Sequence, residues 1–127
     1  MAGELTAVVR GMLEALDKTD ADAAIASMGR DAQGIDEISR RWMRGRDEVT
    51  GYVRQLIETV EDVHSEMLDT HESEWGDTGM VTFWLEQDYT LEGRREHISA
   101  PTTCVLRRED GTWKATLFHS VPLPPEV

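Results

Sequence analysis

The chain has 127 residues, 39% of them hydrophobic, which is enough for one domain with a hydrophobic core. Its 25 acidic residues against 13 Lys and Arg give a formal net charge of −12. This charge argues against binding to nucleic acid or to a membrane surface, because phosphate contacts need clustered cations. The single cysteine, Cys104, excludes an internal disulfide and is typical of a reducing compartment, so we expect a cytoplasmic protein. We expect neither a signal peptide nor a membrane span, since no suitable apolar run is present.

The first 60 residues have the periodicity of three amphipathic helices. Apolar residues three and four positions apart predict the first helix over residues 5–16. Thr19 or Asp20 can cap a second, shorter helix that runs through Met28. Asp47 opens a third helix, whose apolar stripe is the clearest periodic pattern in the sequence. The side chains that we expect to be buried on these helices are Met12, Leu16, Val53, Leu56 and Ile57.

After the third helix the pattern changes to the alternation of strands. Four long strands are predicted, separated by short turns rich in Gly, Asp and Glu: Val63–Trp75, Gly79–Leu91, Arg95–Arg108 and Thr112–Val121. Pro101 lies inside the third of these and indicates a bulge or an edge position. The whole chain, residues 1–127, is therefore expected to form a single α+β domain, with three helices packed on a strongly curved antiparallel sheet.

The segment between the second and third helices, DAQGIDEISRRWMRG over residues 31–45, carries the first candidate for chemistry. Asp36 lies there on a predicted strand or strand-like turn. If the helices cover one face of the sheet, a ligand pocket can form between the two layers, with Asp36 inside it or at its mouth. The alternative is a solvated turn residue, or an ion-pair partner of Arg40 or Arg41.

Two stretches of the sequence resemble a known superfamily. Residues 6–36, TAVVRGMLEALDKTDADAAIASMGRDAQGID, followed by Gly45, resemble the N-terminal half of ketosteroid isomerase. Residues 106–122, LRREDGTWKATLFHSVP, resemble the closing hairpin of SnoaL-like and kinase-association domains. Together they resemble the nuclear-transport-factor-2-like superfamily, which implies a cone-like α+β fold. Because this superfamily has many functions, the resemblance supports the fold much better than any activity.

The resemblance implies a general base at Asp36, where a carboxylate facing an apolar cavity could take a proton from a carbon acid. His119 is near the end of the last strand, where the family often has a His that can act as acid or base; it could equally cap the sheet end. The family's oxyanion donors are missing, because Met12 and Thr103 occupy the positions of the Tyr and the protonated Asp. Steroid isomerisation by that mechanism is therefore not expected.

Other residues are candidates for ligand contact rather than for catalysis. The substrate-binding candidates are Met12, Trp42, Trp84, Thr103 and Phe118, of which Trp42 could cover a ligand near Asp36. The basic cluster Arg40, Arg41, Arg44 and Arg46 could receive an anionic substrate, or could simply be solvated. We expect no metal site, because the histidines lack the spacing of metal ligands, and no cofactor.

These observations favour a protein that binds a small hydrophobic or weakly polar organic ligand in an apolar pocket. If it is an enzyme, the reaction would be a proton transfer, as in isomerisation, cyclisation or dehydration. The alternative is a non-catalytic association module that forms a homodimer through the outer sheet face, and a third possibility is a protein that has kept the fold and lost the chemistry. A cavity that contains Asp36 and a second polar donor would favour catalysis, whereas a filled interior would favour association.

Overall fold

A computed structural model describes residues 3–124, which form helices and strands in the predicted order. The elements are α1 (Glu4–Asp17), α2 (Ala21–Ala26), β1 (Met28–Ile35), β2 (Met43–Arg44), α3 (Arg46–Thr59), β3 (Val60–Trp75), β4 (Thr78–Leu91), β5 (Arg94–Glu109) and β6 (Thr112–Ser120). Within these residues, no helix is long and apolar enough to cross a membrane.

The strands form one sheet in the order β2-β1-β6-β5-β4-β3. Strands β3 to β6 are the predicted antiparallel meander, and the connection from β5 to β6 is a two-residue turn in which Asp110 and Gly111 both have positive φ. Strand β1 was not predicted at this length, and it pairs in parallel with β6, so that Ile35 lies opposite His119. This pairing fixes the end of β1, and therefore the start of the loop that carries Asp36.

The helices cover one face of the sheet, as the alternation along β4 makes clear. Every second residue of this strand from Val81 to Tyr89 is buried, while the residues between them are partly or fully exposed. Val81, Phe83 and Leu85 pack in a cluster with Leu5 and Val9 of α1. The sheet therefore has one apolar face against the helices and one outer face without a helical cover.

Helix α1 is attached to β3 at both ends by side-chain hydrogen bonds. At its N-terminus the carboxylate of Glu72 accepts hydrogen bonds from the backbone N–H groups of Gly3 and Thr6 (3.2 and 2.8 Å). At its C-terminus the carboxylate of Asp17 accepts hydrogen bonds from the backbone N–H and the hydroxyl of Ser65 (3.0 and 2.8 Å). These contacts fix where α1 lies on the sheet.

The second helix ends earlier than the sequence indicates, because tertiary hydrogen bonds compete with the helix. It was predicted through Met28, but it ends at Ala26, and Met28 begins β1. The carbonyl of Ser27 accepts a hydrogen bond from the backbone N–H of Ala115 on β6 (2.8 Å). The carbonyl of Met28 accepts one from the guanidinium of Arg46 (2.6 Å). These two residues are thus bonded to β6 and α3, and the chain continues from Met28 as β1.

The other predictions about packing hold with small changes. Met12, Val53 and Leu56 are buried, but Leu16 and Ile57 are only half-buried. Pro101 lies opposite Trp84 without a register shift, and the pairing of β5 with β6 begins one residue later. Pro101 therefore occupies a local edge, which is one of the two positions predicted for it.

Truncation of Leu56 tests the packing of α3 on the sheet. This side chain is buried in a cluster with Val60, Val63 and Tyr89, so Leu56→Ala should lower the free energy of unfolding by about 2–5 kcal/mol. Urea unfolding followed by fluorescence measures this. The control Gln55→Ala changes an exposed neighbour on the same helix and should remain within about 0.5 kcal/mol of the wild type. Equal effects of the two substitutions would mean that α3 packs differently.

Candidate functional site

A cavity of about 100 Å³ lies between the helices and the sheet. Apolar side chains from α1, α3 and β6 form most of its wall, including Met12, Val53 and Phe118. The polar residues that line the cavity are Gln33, Asp36, Glu37, Tyr52 and Gln87, of which Gln33 is exposed. An apolar wall with a few convergent polar groups is the usual composition of a small-molecule site.

Asp36 is the first residue after β1, and both of its carboxylate oxygens accept hydrogen bonds. The backbone N–H of Ser39 donates to Oδ1 (2.7 Å), and the hydroxyl of Tyr52 donates to Oδ2 (2.7 Å). The carbonyl of Asp36 also accepts from the backbone N–H of Arg40 (3.0 Å), which closes a tight turn. The turn and the tyrosine together hold the carboxylate at the cavity wall.

Tyr52 reaches Asp36 from α3, which covers the cavity. Burial raises the pKa of its phenol, and the negative charge of Asp36 and the hydrogen bond to it raise the pKa further. The phenol therefore remains a neutral donor over the physiological pH range. The result is a fixed contact between α3 and the end of β1.

Glu37 is the most unusual group of the site, because it is an acid that is only 5% exposed. Its Oε2 atom has no hydrogen-bond partner within residues 3–124. Burial, and then the charge of Asp36, raise the pKa of Glu37 from 4.5 to about 8, although hydrogen bonds from its own backbone and from Ser120 oppose the shift. At neutral pH Glu37 is therefore mainly a neutral carboxylic acid that can donate a proton or a hydrogen bond.

Gln87 is the other fully buried polar side chain at the cavity. Its Nε2 donates to the hydroxyl of Ser65 (3.0 Å). Among the described residues, its Oε1 has no hydrogen-bond partner. The cavity wall thus contains two buried polar atoms, on Glu37 and on Gln87, that lack a protein partner.

Three of the predicted site residues lie at the cavity: Asp36, Met12 and Phe118. Their functional roles stay predictions. For Asp36, the side-chain contacts are with Ser39 and Tyr52 rather than with Arg40 or Arg41, which were its alternative partners.

The other four predicted residues, Trp42, Trp84, Thr103 and His119, lie outside the cavity wall. His119 is exposed and its ring lies against that of Trp42, with 5.8 Å between the ring centroids. Thr103 is opposite His119 in the sheet, and Trp84 is exposed on β4. Strand alternation explains these positions, since their immediate neighbours Phe118 and Leu85 point inward. The cavity geometry gives no support to a ligand or catalytic role for these four.

Two residues of the basic cluster, Arg44 and Arg46, make contacts with other residues of the protein. The guanidinium of Arg46 donates to the carbonyl of Met28, and that of Arg44 lies 5.2 Å from the ring centroid of Trp42. Arg40 and Arg41 are exposed. None of the four is among the residues that line the cavity in the described part of the chain.

The sequence analysis missed Glu37, Tyr52 and Gln87 as site residues. Tyr52 lies on the third helix next to the predicted buried residue Val53, and its hydroxyl needs a partner when it is buried. Gln87 had a visible signal, because it occupies an inward position in an otherwise apolar alternation on β4. Glu37 had none, because it follows the end of β1, where strand alternation no longer predicts direction.

Helices on one face of a curved, mainly antiparallel sheet, with an apolar cavity between them, define a cone-like α+β domain of the nuclear-transport-factor-2-like type. The family model described as SnoaL-like domain matches residues 5–124. The chain belongs to the SnoaL-like domain family. Comparison with curated proteins gave no match.

Solved structures with the same fold support this assignment. A candidate dehydratase of the NTF2-like family from Streptomyces avermitilis has a TM-score of 0.85 and 18% identity over 94% of each chain. A ketosteroid isomerase-like protein from Erwinia carotovora atroseptica has a TM-score of 0.80 and 21% identity, and the match covers 97% of this chain and 96% of that one. A candidate calcium/calmodulin-dependent protein kinase II association domain from Xanthomonas campestris has a TM-score of 0.85 and 17% identity, covering 98% and 89%. At these identities the likeness concerns the fold.

The raised pKa of Glu37 predicts a specific pH dependence of stability. The folded chain keeps the Glu37 proton up to about pH 8, whereas the unfolded chain releases it near pH 4.5. Between these values folding takes up a proton, so this group lowers the stability of the fold as pH rises. Glu37→Gln removes the titration. The stability of the wild type minus that of Glu37→Gln should therefore fall from pH 4.5 to about pH 8 and then level off.

Urea unfolding of both proteins between pH 4 and pH 9 measures this difference. Other titrating groups are common to both proteins and cancel in the subtraction. The variant Glu61→Gln, which changes an exposed acid on β3, serves as the control and should follow the wild type in this pH range. If the free energies of unfolding of the wild type and of Glu37→Gln changed in parallel with pH, the pKa of Glu37 would be the same in the folded and the unfolded chain.

Proposed function

We propose that the chain binds a small, mainly apolar organic molecule in the cavity and transfers a proton on it. The observation that carries this proposal is the pairing, at one apolar cavity, of two adjacent acids in different surroundings. Asp36 is held by two hydrogen-bond donors that compensate a negative charge. Glu37 is buried and mainly protonated at neutral pH. Two carboxyl groups with separated states are the usual requirement for acid and base roles in one site.

The roles follow from these states. The carboxylate of Asp36 accepts a proton from a carbon next to a carbonyl group of the ligand. The electron pair of the broken C–H bond forms a C=C bond, and the π pair of the carbonyl group moves to its oxygen, where the acid proton of Glu37 stabilises the developing charge by a hydrogen bond. Return of the proton from Asp36 to another carbon completes isomerisation, and exchange at the same carbon follows when the proton on Asp36 is first replaced by one from solvent. Tyr52 is a positioning residue that orients Asp36.

Glu37 also supplies what the resemblance to ketosteroid isomerase lacked. Met12 and Thr103 occupy the positions of the family's two oxyanion donors. The resemblance therefore implied a general base without a hydrogen-bond donor for the oxyanion. Glu37 is a neutral carboxylic acid, which is a strong hydrogen-bond donor. The coarse chemistry of that resemblance, proton transfer next to a carbonyl, is thus available with a different donor.

Exchange of α-protons in a simple ketone tests the proposal without knowledge of the natural ligand. Cyclohexanone in D₂O loses its α-proton NMR signals as deuterium enters, and the wild type should accelerate this loss. Asp36→Asn should lower the first-order rate constant of α-proton exchange in the bound ketone by about 100-fold or more, because general base catalysis contributes a rate enhancement of about 10²–10⁴. Glu37→Gln keeps an N–H donor and should lower the rate less. Binding of the ketone should change little in either variant.

The control for this experiment is Asp31→Asn. Asp31 is an exposed acid on β1, so the substitution makes the same change of charge near the site and should leave the exchange rate at the wild-type value. If Asp36→Asn leaves the exchange rate unchanged, Asp36 is not the general base, whatever the exchange rate of Glu37→Gln.

Association is a second candidate function, and a row of apolar side chains on the outer sheet face favours it. Leu68 lies opposite Trp84, and Trp84 lies opposite Pro101, across three neighbouring strands. All three are exposed, with Trp84 at 37%. We propose that this row forms a homodimer contact, because an exposed apolar patch is stabilised when a partner covers it.

Sedimentation velocity tests the dimer directly. The wild type should sediment as a dimer at micromolar concentration, and Trp84→Glu should sediment as a monomer, because it places a charge in the centre of the row. Trp75→Glu is the matched control: Trp75 is more exposed, at 60%, and lies at the end of β3 away from the row. A monomeric wild type rules out this association.

A further inference from the structure

The side chain of Gln87 is an amide buried in apolar surroundings at the cavity. It lies on the inward face of β4 between Leu85 and Tyr89, and it is 0% exposed. A buried polar group destabilises the fold unless its hydrogen bonds are made. The protein therefore keeps Gln87 in a place where an apolar residue would be more stable, which indicates a role beyond packing.

A chain of hydrogen bonds determines which way this amide points. Asp17 accepts hydrogen bonds from both the backbone N–H and the hydroxyl of Ser65. The Ser65 hydroxyl has a single proton, which is used in the bond to Asp17. The Ser65 oxygen can then only accept, so the group of Gln87 that lies 3.0 Å away must be the NH₂ group. The amide nitrogen faces Ser65, and Oε1 is left as the free end.

This free end is an acceptor and cannot act as a donor. It has no hydrogen-bond partner within residues 3–124, and Gln87 is part of the cavity wall. The other unpartnered atom at the cavity, Oε2 of Glu37, belongs to a group that can donate. Within the described residues, two side chains of the mainly apolar cavity wall thus each have one buried oxygen whose hydrogen bond is unmade, an acceptor on Gln87 and a potential donor on Glu37.

We propose that Gln87 is a specificity-determining residue that selects ligands with a hydroxyl or N–H group, which donates to its Oε1. This specificity rests on the ligand binding proposed above and narrows its substrate class to hydroxy or amino derivatives of a carbonyl compound. The carbonyl of such a ligand accepts from Glu37, and its hydroxyl or N–H group donates to Gln87. A purely apolar ketone leaves Oε1 buried without a partner and binds more weakly.

Two ketones of the same skeleton test the selection. The probes are 4-hydroxycyclohexanone and 4-methylcyclohexanone, whose substituents are similar in size but differ in the presence of a donor. NMR titration gives the dissociation constant of each. The wild type should bind the hydroxy ketone about tenfold more tightly, because one buried hydrogen bond is at stake. Gln87→Met keeps the length of the side chain without the acceptor and should reverse this preference.

The control is Gln55→Met, the same substitution at an exposed glutamine on α3, which should keep the wild-type preference. If Gln87→Met does not fold, Ser65→Ala provides the second variant: it removes the atom that orients the amide, so the preference for the hydroxy ketone should shrink. Two results would overturn the role of Gln87 and leave the proposed function intact. In one, the wild type binds the methyl ketone more tightly, and in the other, Gln87→Met keeps the wild-type preference for the hydroxy ketone. If neither ketone binds, the proposed function and this specificity are both wrong.

Discussion

The attachment of α1 to β3 is the constraint on which the rest of the structure depends. A helix of 14 residues is about 21 Å long, and the eight residues of β3 from Ser65 to Glu72 span about 23 Å. The two carboxylates, Asp17 and Glu72, therefore connect a helix and a strand of matching length at both ends. Between these two attachments, Leu5 and Val9 pack directly on the sheet, whereas Met12, Leu13 and Leu16, nearer the C-terminal end of α1, line the cavity.

The same attachment has a consequence inside the cavity. Asp17 accepts a hydrogen bond from the Ser65 hydroxyl, and the oxygen of that hydroxyl accepts one from the side-chain NH₂ group of Gln87. Gln87 lies directly opposite Ser65 on the neighbouring strand. A contact that holds a helix in place thus also sets the orientation of a polar group that faces the ligand space. The hydrogen bonds from Asp17 through Ser65 to Gln87 form one continuous network, so a substitution of Asp17 should affect both the position of α1 and the orientation of the Gln87 amide.

The sequence predicts the layout of the fold well, because hydrophobic periodicity is a local property. The ends of the three strands β4, β5 and β6 differ from the predictions by at most one residue, and the turn between β4 and β5, at Glu92-Gly93, lies between the two predicted strands, with positive φ at both residues. The end of α2 could not be predicted, since it depends on donors from Ala115 and Arg46, which are distant in the sequence.

The site was predictable only in part, for the same physical reason. Asp36 was placed at the cavity by resemblance, but its contact with Tyr52 joins residues 16 positions apart on different elements. Strand alternation alone could not assign Phe118 rather than His119 to the cavity, because the register of β6 shifts between Ala115 and Leu117 and reverses the alternation that begins at Trp113. Alternation does not apply to Glu37, whose burial depends on how the loop after β1 closes on the sheet.

The two-sided sheet also explains why ligand binding and association need not exclude each other. On β4, Trp84 points outward while its neighbours Phe83 and Leu85 pack under α1. A second copy that covers the row of Leu68, Trp84 and Pro101 would contact the outer face, whereas the cavity is enclosed by the helices and the inner face. Each strand therefore contributes alternate residues to two separate surfaces, and a substitution on one surface can change its function while the other is preserved. Burial of the acid Glu37 and of the amide Gln87 each lowers the stability of the fold. Dimerisation through the outer face would stabilise the folded chain and so offset part of this cost.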